Sequence, residues 1–177
     1  MLIHITGASG CGSSTLAEAL ATRLGATHLD TDDFFWLPSD PPFRHRRPAD
    51  ERRSSLLGAL RSGGGDAVVS GAVSAWGDEI ENAFDLIVFL YVETEIRLAR
   101  LRERELRRFG RVDPDFMTWA AQYDEGPPEG RSLANQKAWL GARTCPVLTL
   151  EGNLSTQERL ERIHVWMAAN PTQGGAV

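Results

Sequence analysis

Gly7-Ala8-Ser9-Gly10-Cys11-Gly12-Ser13-Ser14-Thr15 stands between an apolar run, Leu2-Ile3-His4-Ile5-Thr6, and a helix-forming stretch, Leu16-Ala17-Glu18-Ala19-Leu20-Ala21. Strand, glycine-rich loop and helix in that order make a phosphate-cradling unit. The glycines let successive backbone N–H groups turn inward around an anion, and the helix N-terminus adds a partial positive charge. Against the pattern G-x-x-x-x-G-K-[ST], Gly7 and Gly12 fall into place and Ser14 fills the hydroxyl position. Serine occupies position 13, where the pattern has lysine. A tight strand-to-helix turn without a ligand is the bland alternative. The hydroxyl pair opening the helix favours phosphate, with Gly7, Ser9, Gly10, Cys11, Gly12, Ser13, Ser14 and Thr15 as the contact set. Ser14 is then the hydroxyl ligand of a Mg2+ ion bridging the phosphates.

The 177 residues suffice for one domain with a substantial core, and 42% hydrophobic with 24% charged residues is ordinary for a soluble globular chain. A formal charge of −5 offers no electrostatic reason to expect a nucleic acid polymer as partner. Cys11 and Cys145 make no disulfide framework, no metal-ligand spacing is present, and no apolar run reaches membrane-spanning length. The apolar N-terminus is too short for a signal peptide, so a cytoplasmic, reducing setting with no membrane partner is expected. Of the 19 basic residues, Lys137 is the single lysine and the rest are arginine. Almost any cationic task in this chain must therefore be done by a guanidinium.

Short apolar runs at 2–6, 26–30, 67–71, 85–92 and 146–150 predict five strands. Between them the spacing predicts helices after the glycine loop to Gly25, over 50–61, from 93 to about 108, near 131–142, and from the capping box Ser155-Thr156-Gln157-Glu158 onward. Alternating strands and helices predict a three-layer α/β/α sandwich around a parallel five-stranded sheet. We expect a single domain over 1–170, with an acceptor-side segment at about 34–62 and a mobile lid at about 109–130. The lid would hold a short helix bearing Phe116, Trp119 and Tyr123, and its Gly126-Pro127-Pro128 would favour a loop. The tail 171–177 is expected to be disordered.

Three further groups carry chemistry. Asp30, Asp32 and Asp33 lie just past the second strand, at the sheet edge where parallel α/β folds bind ligands. Carboxylates there hold Mg2+ or accept a proton from an attacking hydroxyl, while the bland reading is a helix N-cap with solvated neighbours. Arg97, Arg100, Arg104, Arg107 and Arg111 recur at helical spacing and lead into the lid, with Arg131 beyond it. They read either as a solvated charged face or as cations that close over phosphates. Arg44, Arg46 and Arg47 serve either solubility or the capture of an anionic acceptor. Cys11 sits where the helix end would favour a thiolate.

Taken together, these motifs resemble the P-loop kinases of small molecules and nucleotides, the group with adenylate, shikimate, gluconate and nicotinamide riboside kinases. They also resemble a bacterial group of adenylate-kinase-like, AAA-labelled ATP-binding proteins with hydroxyl residues in place of the Walker A lysine. The resemblance covers nearly the whole chain and implies strand order 2-3-1-4-5, a lid, and ATP or another nucleoside triphosphate with Mg2+. Asp30 and Asp32 match the Asp-x-Asp of shikimate-kinase-like members, and Asp32-Asp33-Phe34 matches the Asp-Asp-Phe of nicotinamide riboside and uridine kinases. Asp32 belongs to both patterns and is the expected base. Gly152-Asn153 resembles the adenine pocket, with Arg100 or Arg104 covering the base's other face. The implied activity is phosphoryl transfer to a small molecule or nucleotide. Asp30, Asp33, Phe34, Arg44, Arg47 and Gly71 would bind the acceptor, Ser14 and Asp30 the metal, and Asp32, Arg104, Arg107 and Arg131 would act in catalysis. No apolar strand ends in a Walker B acid: the third strand ends in Ser70-Gly71, and Glu93 follows the fourth. A nucleotide-binding regulatory module with little turnover is the alternative.

Overall fold

The computed structural model describes residues 1–40, 42–126 and 130–171. Pro127 and Pro128 of the expected lid, and all of the expected tail except Pro171, lie outside the described residues. The first strand, β1 (Leu2–Gly7), is the centre of the sheet. It pairs in parallel with β3 (Ala67–Ser70) on one side and with β4 (Leu86–Tyr91) on the other, so that Ile3 stands opposite both Val68 and Leu86. β2 (Thr27–Asp30) extends the sheet beyond β3, and β5 (Val147–Glu151) extends it beyond β4. The order β2-β3-β1-β4-β5 is the expected one.

Burial on both faces explains why these strands read as nearly continuous apolar runs. Ile3, Ile5, Val68, Leu86, Val88 and Leu90 point to one face, where they pack under α1 (Ser13–Leu24) and α8 (Thr156–Ala169) through Leu16, Leu20, Leu160 and Ile163. The alternate residues Val69, Ile87 and Phe89 point to the other face, against Leu56 of α3 (Ala49–Ser62) and Leu140 of α7 (Leu133–Gly141). The period of two is the pleat of the strand. His4 falls on this second face, fully buried and stacked on Phe84 with centroids 4.7 Å apart. Its pKa is lowered to about 4, chiefly by burial.

Two short helices were not expected. α2 (Thr31–Phe35) starts immediately after β2 because Asp30 caps it, its Oδ1 accepting the Asp32 N–H at 3.0 Å. α4 (Asp78–Glu81) forms one turn directly after Gly77. There the buried Glu81 accepts from the N–H groups of Trp76 and Gly77 and from the Trp139 indole. α5 (Thr94–Phe109) stops at Gly110, whose φ of 69° suits glycine, so Arg111 lies beyond the helix. α6 (Pro114–Ala121), capped by Asp113, packs against α5. Among the described residues no helix is long and apolar enough to cross a membrane.

Candidate active site

The glycine loop leaves the carboxyl end of the central strand and runs into α1. Gly10 and Gly12 have φ of 84° and 92°, which only glycine adopts freely. Gly12 caps α1 without any side-chain hydrogen bond, and no acidic residue occupies the helix's first turn. The first N–H groups of α1 are thus left for an anion.

Guanidinium groups hold the loop by its carbonyl oxygens. Arg159 of α8 donates from Nη1 to Cys11 O at 2.8 Å, and Arg131 donates from Nη2 to Gly7 O at 2.9 Å. Arg97 reaches Ser9 O at 3.4 Å, and Arg100 reaches Gly10 O and Cys11 O at 3.3 and 3.4 Å. Satisfying the carbonyls this way fixes the peptide planes and adds positive potential behind the cradle. Arg97 is 1% exposed, and it also binds Val92 O, Ala120 O and Thr94 Oγ1. It therefore ties the loop to the start of α5 and to α6. Burial pushes the Cys11 thiol pKa up, outweighing its Ser13 hydrogen bonds and the nearby arginines. The thiolate expected from the helix end alone is corrected by that desolvation.

The expected arginine stripe divides. Arg107 is 71% exposed and pairs only loosely, at 3.9 Å, with Glu103. It does not line the cleft, so its expected catalytic role is corrected: ten residues after the buried Arg97, the helix has turned it to solvent. Arg100 donates from Nη2 to Asn153 Oδ1 at 2.6 Å, bringing together the two elements expected at the base of a nucleotide. Gly152 keeps φ at 88° with open space where a side chain would stand. Ser14 and Thr15 are exposed on the first turn of α1.

Beside the loop lies a cavity of about 860 Å3, reached by Ser9, Asp32, Arg104 and Arg131. Burial, followed by the charge of Asp30, raises the Asp32 pKa, while Arg131, the Trp36 indole and Arg104 oppose the shift. Asp32 is thus a stronger base than an ordinary carboxylate, and it faces two cations. Asp30 is occupied as the α2 cap, which realises the bland reading for that residue, though its second oxygen is not engaged in the cap. Gly71 does not line the cavity: a Cβ there would sit 2.0 Å from Thr31 Oγ1, so glycine is required for packing β3 against α2. Arg47 fastens the acceptor-side segment by donating from Nε to Phe34 O at 3.0 Å, and its own N–H reaches Phe35 O. Arg44 and Arg46 line the cavity instead.

Arg159 escaped the sequence reading. Its signal was its place four residues before the inward-facing Ile163, where a charged residue must find a partner. The cavity aromatics Trp36, Phe43, Phe109, Phe116 and Trp119 were also missed as site residues, because they come from separate segments.

Residues 3–110 match the family described as AAA domain. The chain belongs to this family. Protein YqaC of Bacillus subtilis (strain 168), itself uncharacterized, is 41% identical over 178 residues, covering 95% of this chain and 98% of that protein. Shikimate kinase from Acinetobacter baumannii, solved with shikimate, superposes with a TM-score of 0.61 at 18% identity, covering 97% of this chain and 95% of that one. TT1252 from Thermus thermophilus gives 0.58 at 17% identity, covering 97% and 98%. An unliganded sugar kinase from Janibacter sp. HTCC2649 gives 0.56 at 18% identity, covering 99% and 98%. These likenesses establish a P-loop kinase-like fold for the AAA domain chain.

Proposed function

We propose that this protein is an ATP-dependent phosphotransferase acting on a small molecule or nucleotide in the cytoplasm. The observation that carries the reading is Asp32: a carboxylate of raised pKa beside the glycine loop, facing Arg104 and Arg131 in one cavity. Asp32 takes the proton of the acceptor hydroxyl as the acceptor oxygen bonds to the terminal phosphorus of ATP. The bond from that phosphorus to the bridging oxygen breaks, and ADP leaves with the electron pair. Where the acceptor group is itself an ionised phosphate, no proton need be moved and Asp32 orients it. Arg104 and Arg131 offset the charge on the transferring group, a task given to lysine in the usual loop.

The residues fit a polyphosphate, since the outward carbonyls are held by arginines and the first turn of α1 is uncapped by any side chain. Among the described residues no cluster of three His, Cys, Asp or Glu forms a protein metal cage. Ser14 and Asp30 would hold a Mg2+ ion that arrives with the nucleotide. When bound, the metal supplies charge neutralisation between the phosphates. Gly152, Asn153 and Arg100 receive the base. Residues 109–130 act as the lid, with Asp33, Phe34 and Arg47 shaping the acceptor side.

Serine at position 13 favours a second reading, a nucleotide-binding regulatory module. A thermal-shift screen with ATP, ADP and candidate acceptors, with and without Mg2+, joined to an ADP-release assay, separates the two. Stabilisation by ATP–Mg2+ with acceptor-dependent ADP release supports the phosphotransferase. Stabilisation with no release from any acceptor supports the module.

A further inference from the structure

The cavity beside the glycine loop has a composition that neither phosphoryl transfer nor the fold requires. Beyond Asp32, Arg104 and Arg131, which the transfer uses, four arginines line it, Arg44, Arg46, Arg108 and Arg111, against three carboxylates, Asp40, Glu105 and Asp113. A remaining positive surplus stands out in a chain whose net charge is −5. Such a surplus favours an anionic acceptor, and the guanidinium fork fits the oxygens of a phosphate monoester.

Aromatic faces share the same space. Among the described residues the exposed large apolar side chains are Phe43, Leu106, Phe109, Trp119 and Val165, and the three aromatic ones all line this cavity. They come from opposite sides in sequence. Trp36 and Phe43, 6.0 Å apart edge to face, belong to the acceptor-side segment. Phe116 and Trp119, 5.9 Å apart and stacked, belong to α6, with the Arg104 guanidinium 5.7 Å from the Phe116 ring. Leaving such rings in water forgoes their burial, which a flat partner would recover. An alicyclic hydroxy acid has no flat face to set against these rings.

Resting on the phosphotransferase reading, we infer that the acceptor is a phosphate monoester carried on a planar ring system, its phosphate held by Arg44 and Arg46 and its ring by the aromatic walls. Nucleoside monophosphates are the common molecules with both parts. About 860 Å3 is ample for one such acceptor.

The test is calorimetric titration of the full chain, with ADP–Mg2+ saturating the glycine loop. The probes are AMP, CMP, GMP and UMP, with ribose 5-phosphate as phosphate without ring, the four nucleosides as ring without phosphate, and shikimate. At least one monophosphate should bind ten or more times tighter than its nucleoside and than ribose 5-phosphate. The double variant Arg44→Gln, Arg46→Gln should lose that advantage while its nucleoside binding stays unchanged. Trp119→Ala should weaken monophosphate and nucleoside alike and leave ribose 5-phosphate unaffected. Both variants change exposed side chains, and an unchanged melting temperature verifies their fold. Equal binding of ribose 5-phosphate and the monophosphates, preference for shikimate, or binding of no probe overturns the inference. ADP release is read separately. A monophosphate that binds through Arg44 and Arg46 without being phosphorylated retires the phosphotransferase reading but keeps this ligand class. Turnover of a ringless or phosphate-free acceptor does the reverse.

Discussion

Arg131 donates from Nη2 to the carbonyl oxygen of Gly7 at 2.9 Å, joining positions 124 residues apart. The bond places a guanidinium at the start of the glycine loop, within electrostatic reach of Asp32. A cation is thereby present at the glycine loop although position 13 is serine. Replacing Arg131 with glutamine should lower turnover by about two to three orders of magnitude, the usual effect of removing one preorganised charge. Arg107→Gln should stay within about twofold of the parent, because exposed, loosely paired charges contribute little. Steady-state ADP release by the two variants decides the point; equal losses would remove Arg131 from its special place.

Asp32→Asn should fold normally, bind nucleotide and lose about 10²- to 10⁴-fold in rate for a hydroxyl acceptor. Because burial and Asp30 raise the Asp32 pKa, kcat/KM should fall with decreasing pH through a midpoint above the ordinary aspartate value of 3.8. A pH–rate profile on the parent checks this, and an unchanged rate in the variant would remove Asp32 as the base.

Arg159 is 3% exposed, and its Nε and Nη2 have no hydrogen-bond partner among the described residues while Nη1 holds Cys11 O. Burial, its largest influence, lowers its pKa, and the neighbouring Arg100 adds to that. Arg159→Leu frees the Cys11 carbonyl and removes positive potential from the loop. ADP affinity should fall about tenfold, corresponding to roughly 1.4 kcal/mol. Adding Ser13→Lys to that variant should restore part of the loss, since it returns a cation to the cradle. Titration calorimetry on the two variants measures both effects.

Gly71→Ala should cost about 2–4 kcal/mol, combining a φ of 105° with a Cβ placed 2.0 Å from Thr31 Oγ1. Thr31 Oγ1 also accepts the Ala72 N–H at 3.1 Å, so displacing it disturbs α2, where Asp32 sits. Urea unfolding should show the stability loss, and turnover should fall with it.

His4 gives a pH dependence of stability. Its folded pKa of about 4 lies below the unfolded value near 6.5, so the unfolded chain binds the extra proton between them. Above pH 6.5 the histidine is neutral in both states and costs nothing. As the pH falls from 6.5 to 4 it should remove roughly 3 kcal/mol of stability. A His4→Gln variant compared by urea titration at pH 7 and pH 5 should show a smaller drop than the parent.

Local rules decided a great deal. Apolar runs set the five strands, Gly25 and Gly110 ended their helices, Ser155 and Glu158 opened α8, and the glycine loop marked the ligand edge of the sheet. Each of these depends on residues within a few positions of one another, so the chain carries them without help from the fold. The arginines were different. Helical spacing along α5 suggested one face, yet packing buries Arg97, ties Arg100 to Asn153 and leaves Arg107 in water. Arg159 and Arg131 reach the loop from 148 and 124 residues away. A guanidinium's role depends on which carbonyl, carboxylate or ring meets it across the core, and chain spacing holds no record of that. The sequence alone therefore determined that a strand, a glycine-rich loop and a helix meet at the ligand edge of the sheet, with serine at position 13. Only the tertiary structure decided which cations stand behind that serine, because the charge comes from helices that approach the loop through folding.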